Sequence, residues 1–181
     1  MAQSFVCSRC RSKEGIVVPV ETLCDGIEKV MAFCYLGDRL NASGGSESAV
    51  TSRVRTGWSK FRDCSEVLHG KRFSPKLKGK IYQSYVRSAM LYGSETWCLN
   101  EKGAGILKRA ERAMMRVMCG TKLNDKKNTK ELMELLGINE SIEMLANARA
   151  LKWYGHVLRR EEDNILRKAL DFEVDGQRKK G

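Results

Sequence analysis

The chain has 181 residues, 42% of them hydrophobic, and carries 33 Lys/Arg against 22 Asp/Glu for a net charge of +11. That is enough length and apolar content for one globular core. The sequence has no apolar run of about 18 residues and no charged-then-apolar leader, which argues against a membrane span and a signal peptide, and its odd, scattered set of seven cysteines argues against a disulfide framework.

Residues 1–13 hold Cys7 and Cys10, whose spacing lets two thiolates share a zinc ion, although a tetrahedral site needs two further ligands. In residues 14–44, the apolar runs Val17, Val18, Val20 and Val30, Met31, Phe33, Tyr35, Leu36, Leu40 flank Asp25-Gly26, a hairpin-type turn, and predict a small β-element. From Gly44-Gly45 the period becomes helical. Val50, Val54, Trp58, Phe61, Val67 and Leu68 form one stripe behind an N-cap at Ser46, with Arg53 and Lys60 on one flank and Arg55 and Arg62 on the other.

Ser74-Pro75 opens a second helix that should stop at Gly93. Projected at about 100° per residue, Lys76, Lys80, Gln83 and Arg87 fall within an arc of roughly 60°. Leu77, Ile81, Tyr85, Ser88 and Tyr92 lie opposite and are expected to pack inward. Asn100 caps a third helix that ends at Gly120; on it Lys108, Arg109, Arg112 and Arg116 oppose Ile106, Ala110, Ala113, Met114 and Val117. Thr129 opens a short helix ending at Gly137, and Ser141 a longer one whose stripe is Leu145, Leu151, Tyr154 and Leu158. A last helix spans Asn164 to Leu170, before a basic tail in residues 172–181.

The charge is uneven. Residues 45–119 hold 15 Lys/Arg and 6 Asp/Glu, whereas residues 1–44 hold 5 of each and residues 120–181 hold 13 and 11. A middle segment of one sign attracts a polyanion and speeds its encounter. Two cationic stripes lying side by side would form a channel for phosphates that positions a duplex without reading its bases. Tyr82, Tyr85, Tyr92 and Trp97 offer faces for base stacking, but Tyr85 and Tyr92 sit on the predicted apolar face, so core packing is the expectation. His156 has no second histidine, serine or cysteine at useful spacing and is expected as an ordinary helix residue.

Three blocks, FCYLGDRL at Phe33–Leu40, YVRSAMLYGSETW ending at Trp97, and LKWYGHVLRR at Leu151–Arg160, resemble in order and spacing the region after the polymerase core of non-LTR (LINE-type) retrotransposon reverse transcriptases. The resemblance implies a mainly α, thumb-like helical bundle in residues 45–120 with further helices in 121–171, behind a β-hairpin in 14–44 that resembles the end of the palm. It further implies a nucleic-acid-binding fragment of an RNA-directed DNA polymerase. Its partners would be an RNA–DNA or DNA duplex and the remaining parts of the enzyme, with no membrane, in an intracellular, nuclear or nucleocytoplasmic setting.

The residues expected on the duplex are Arg53, Lys60, Lys76, Lys80, Gln83, Arg87, Lys108, Arg109, Arg112 and Arg116, with Tyr35, Leu36 and Gly37 at the primer, while the Leu151–Arg160 block is expected either to pack back on the domain or to meet RNA through Lys152, Arg159 and Arg160. Residues 1–13 resemble the remnant of an upstream zinc module. The chain contains no Asp-Asp pair, so no catalysis by this chain alone is expected, and a divalent metal is expected only in the absent palm. The alternative reading is a non-catalytic helical protein-interaction domain from a degenerate retrotransposon.

Overall fold

The helix ends follow from local chemistry. Asn100 Oδ1 accepts the Gly103 amide at 2.8 Å, Ser74 Oγ accepts the Leu77 amide at 3.3 Å ahead of Pro75, and Ser141 Oγ accepts the Met144 amide at 3.3 Å. Each satisfies an amide that the first turn leaves without an intrahelical partner. Gly120 (φ 62°) and Gly137 (φ 65°) end their helices in the left-handed conformation that costs glycine least.

The computed structural model of the chain describes residues 30–170 except 36, 37, 42–44 and 126. It is mainly α. A hairpin of β1 (Ala32–Tyr35) and β2 (Asp38–Asn41) is followed by α1 (Glu47–Asp63), α2 (Ser65–His69), α3 (Pro75–Ile81), a π-helical turn over Tyr82–Arg87, α4 (Ser88–Met90), α5 (Glu101–Cys119), α6 (Thr129–Leu136), α7 (Ile142–Leu158) and α8 (Ile165–Leu170). The segment from α3 to α4 is one continuous rod.

The strands are antiparallel, with Ala32 opposite Asn41 and Tyr35 opposite Asp38. The apolar run from Val30 to Leu40 therefore itself contains both paired strands. The turn expected at Asp25-Gly26, with Val17, Val18 and Val20, lies outside the described residues. Ser48 Oγ donates to the Arg39 carbonyl at 3.1 Å, which ties β2 to the start of α1. Ser46 holds the predicted N-cap position but makes no capping bond; its hydroxyl donates instead to the Cys98 carbonyl at 2.8 Å.

One core joins α1, α2, the α3–α4 rod, α5, α6 and the start of α7. Phe61, Leu68, Tyr82, Val86, Met90, Leu107, Met114, Met115, Met118, Leu132, Leu136 and Ile142 are fully or nearly fully buried. Methionine contributes heavily, and its unbranched thioether fills irregular gaps between helices. Gly79 lets α3 meet α6: a Cβ there would stand 1.9 Å from the Leu136 carbonyl oxygen.

The packing face of the rod differs from the one projected from the sequence. Lys78, Gly79, Tyr82, Val86, Arg87 and Met90 are buried, whereas Leu77, Tyr85, Ser88 and Tyr92 are exposed. Hydropathy scores neither Lys78 nor Gly79 as core. Yet Lys78 buries its stem and donates its ammonium to the Met118 carbonyl at 3.0 Å, and Gly79 allows backbone contact. The π turn then widens the spiral, so a projection at 100° per residue loses phase beyond Tyr82. On α7 only Leu145 of the expected stripe packs against the core. Leu151 (71% exposed), Tyr154 and Leu158 face solvent, because α7 docks through Ile142, Ala146 and Val157 and through Arg149, which donates to the Leu91 carbonyl at 2.8 Å.

Candidate nucleic-acid interface

Glu111 sits inside the basic run of α5 and organises what surrounds it. Its side chain is 4% exposed and Arg87's is 4%. Glu111 Oε1 accepts Arg87 Nη2 at 2.6 Å, Arg87 Nε at 3.1 Å and the Tyr82 hydroxyl at 3.3 Å, and Oε2 accepts the Ile142 amide at 3.0 Å at the first turn of α7. Arg87 Nη2 also donates to the Glu140 carbonyl. A carboxylate in this position completes the positive end of α7 and balances the guanidinium. Burial, then the neighbouring carboxylate, pushes the Tyr82 hydroxyl well above the ordinary tyrosine pKa. Sequence reading missed Glu111, since a lone acid among lysines and arginines reads as solvated; its only signal is its place beside Leu107, Met114 and Met118 on the apolar stripe.

The expectation that Arg87 belongs to a free basic face is therefore corrected. Its guanidinium is enclosed and paired with Glu111. Arg53, also expected on an open flank, is 8% exposed and lies under the Tyr92 ring, its guanidinium carbon 4.6 Å from the centroid. Gln83 is half-buried and donates to the Gly137 carbonyl at 3.4 Å. Lys60 donates to the Tyr85 hydroxyl at 3.0 Å, which raises its pKa, and lies 3.6 Å from Asp63. Lys108 is paired with Glu143 of α7 at 2.5 Å.

Lys76, Lys80, Arg109 and Arg112 are exposed and Arg116 is half-exposed; none of them makes an ion pair among the described residues. They do not form one channel. On α5, Arg112, Arg116 and Arg109 lie roughly 100–160° around the helix from Glu111, which faces the rod. On α3, Lys76 and Lys80 lie roughly 160° from Lys78, which faces α5. Each stripe points away from the contact between its helices, so the two occupy opposite sides of the bundle. Apolar phase places a basic stripe on a helix, but the side of the molecule depends on which helices cross.

Tyr82 and Trp97 are buried, while Tyr85 (40% exposed) and Tyr92 (59% exposed) are at the surface, contrary to the expectation that the last two pack inward. His156 is exposed on α7, where its Nε2 is 3.0 Å from Arg160 Nη2 and its ring 5.6 Å from that of Trp153. Lys152, Arg159 and Arg160 are exposed nearby. Tyr35 is exposed on β1, whereas Leu36, Gly37, Cys7 and Cys10 lie outside the described residues. No described helix is long and apolar enough to cross a membrane.

The chain is similar to an uncharacterized transposon-derived protein of Caenorhabditis elegans, 24% identical over 139 residues that make up 75% of this chain and 50% of that protein. It thus spans about half the length of this relative, and the likeness supports a transposon origin. No family model matches the chain, and no solved structure matches it.

Proposed function

We propose that this chain is the duplex-holding, thumb-like part of a non-LTR retrotransposon reverse transcriptase, gripping an RNA–DNA or DNA duplex by its backbone while a palm elsewhere carries out phosphoryl transfer. The observation that carries the reading is the row Arg109, Arg112 and Arg116 on α5, the first two exposed and the third half-exposed, without an acidic partner among the described residues. From Arg109 to Arg116 the helix rises by about 10 Å, comparable with three base-pair steps of about 3.4 Å, so the row is long enough to meet more than one phosphate of a duplex. Arginine suits this task because its planar fork grips a phosphate through two hydrogen bonds. The similarity to a transposon-derived protein supports the setting, and nothing in such a row reads bases.

Charge reversal tests it. Arg109→Glu, Arg112→Glu and Arg116→Glu together should weaken RNA–DNA hybrid binding at least tenfold in fluorescence anisotropy, while Lys76→Glu with Lys80→Glu on the opposite face should weaken it far less. Equal affinity of the triple variant and the parent chain would remove the reading.

A second reading, a helical protein-interaction domain, draws on one specific observation. Met144, Leu151 and Leu158 recur at seven-residue spacing along α7 and are all exposed, as a face awaiting another helix would be. Since the chain spans about half of its relative, the occupant on that reading is another segment of the parent protein. It predicts hybrid binding insensitive to charge reversal on α5.

A further inference from the structure

The two exposed tyrosines form an ordered pair. Arg53 of α1 lies under Tyr92, and Lys60 of α1 lies beside Tyr85, its ammonium 5.0 Å from the ring centroid. Moving seven residues forward on α1, from Arg53 to Lys60, moves seven residues back along the chain, from Tyr92 in the turn after α4 to Tyr85 in the π-helical turn. The pairs are therefore two rungs on a seam between α1 and a segment running antiparallel to it. From Arg53 to Lys60 the helix rises by about 10 Å, or about three base-stacking steps of about 3.4 Å.

Between the two tyrosines in sequence, Ser88 is exposed, and its hydroxyl folds back onto the Ser84 carbonyl at 2.6 Å. Each ring meets a cation of its own chain and keeps 40% or 59% of its residue surface open. A cation against an aromatic ring fixes its position, so the rings are held rather than swinging freely. Aromatic planes held beside positive charge are what unpaired bases and their phosphates bind. A duplex cannot use such planes, because the faces of its bases are already covered by neighbours in the stack.

We propose that the Arg53–Tyr92 and Lys60–Tyr85 seam is a stacking platform for unpaired nucleobases, taking a single strand along α1 and the π turn. It rests on the nucleic-acid reading above and adds to it a second ligand class, the single-stranded continuation of a duplex. Bases stack on the outer faces of Tyr85 and Tyr92, and the Lys60 ammonium stands where a backbone phosphate passes.

The test compares the full chain's affinity for a ten-nucleotide oligothymidylate with that for a strand of the same length built of abasic residues, which keeps the phosphates and removes the bases. The parent chain should bind the thymidylate roughly tenfold or more tightly than the abasic strand. Tyr85→Ala with Tyr92→Ala should abolish that preference, and Tyr85→Phe with Tyr92→Phe should keep most of it. Both positions are exposed, and unchanged circular dichroism melting confirms that the variants fold. Equal affinity of the parent chain for the two strands, or a preference that survives the double alanine change, overturns the platform while hybrid binding stands. Loss of binding to the hybrid and to both single strands overturns the duplex reading and the platform with it.

Discussion

Glu111 is the residue on which the most elements depend, because one carboxylate satisfies the π turn, α5 and the first turn of α7 at once. Removing one partner of a buried charge pair leaves the other enclosed and uncompensated, at a cost of about 3–5 kcal/mol. Glu111→Gln should therefore lower the unfolding free energy measured in urea by that amount, and Arg87→Met added to it should cost less than the sum of the two single changes. Tyr82 gives a second expectation. Its folded pKa is raised above the unfolded value of about 10, so its contribution to stability is intact below that pH and is lost as pH rises beyond it, when the unfolded chain ionises first. Tyr82→Phe forfeits the hydrogen bond to Glu111 and costs about 1 kcal/mol at neutral pH. The gap between the two proteins should narrow above about pH 10 in unfolding titrations.

At the scale of elements, the ends of helices were readable and so were the buried faces of α1 and α5, but those of the α3–α4 rod and of α7 were not. Asn100, Ser74, Ser141, Gly120 and Gly137 act through hydrogen bonds and dihedral angles within a few residues, so sequence alone places them. The rod from α3 to α4 shows what is lost beyond that range. Its inward face includes a lysine whose ammonium caps the end of α5 and a glycine that admits a backbone, and neither has an apolar signature. The π turn then alters the phase for Tyr85 and Arg87. Gly79 makes the point testable. On helix propensity alone, Gly79→Ala should stabilise by about 1 kcal/mol, but the added methyl would collide with the Leu136 carbonyl. The clash should win, giving a net loss of about 1–3 kcal/mol in denaturant unfolding and no gain in melting temperature.

At the scale of the whole molecule, mainly helical architecture and an excess of positive charge followed from composition and periodicity, whereas the layout of that charge followed from tertiary packing. Of the expected duplex residues, Arg87 is locked against Glu111, Lys108 is paired with Glu143, and Arg53 is folded under Tyr92. What remains open divides between two sides, the lysines of α3 on one and the arginines of α5 on the other. The proposed duplex grip rests on the α5 row, and the proposed single-strand platform on the tyrosine seam.

The most direct measurement is the salt dependence of RNA–DNA hybrid affinity for the parent chain and for the Arg109→Glu, Arg112→Glu, Arg116→Glu variant. Three released counterions give a slope of about −2.7 in log affinity against log salt for the parent chain. The account predicts a slope at least that steep, reduced by about that amount in the variant. A slope near zero in the parent chain, or one that the triple reversal leaves unchanged, would contradict it.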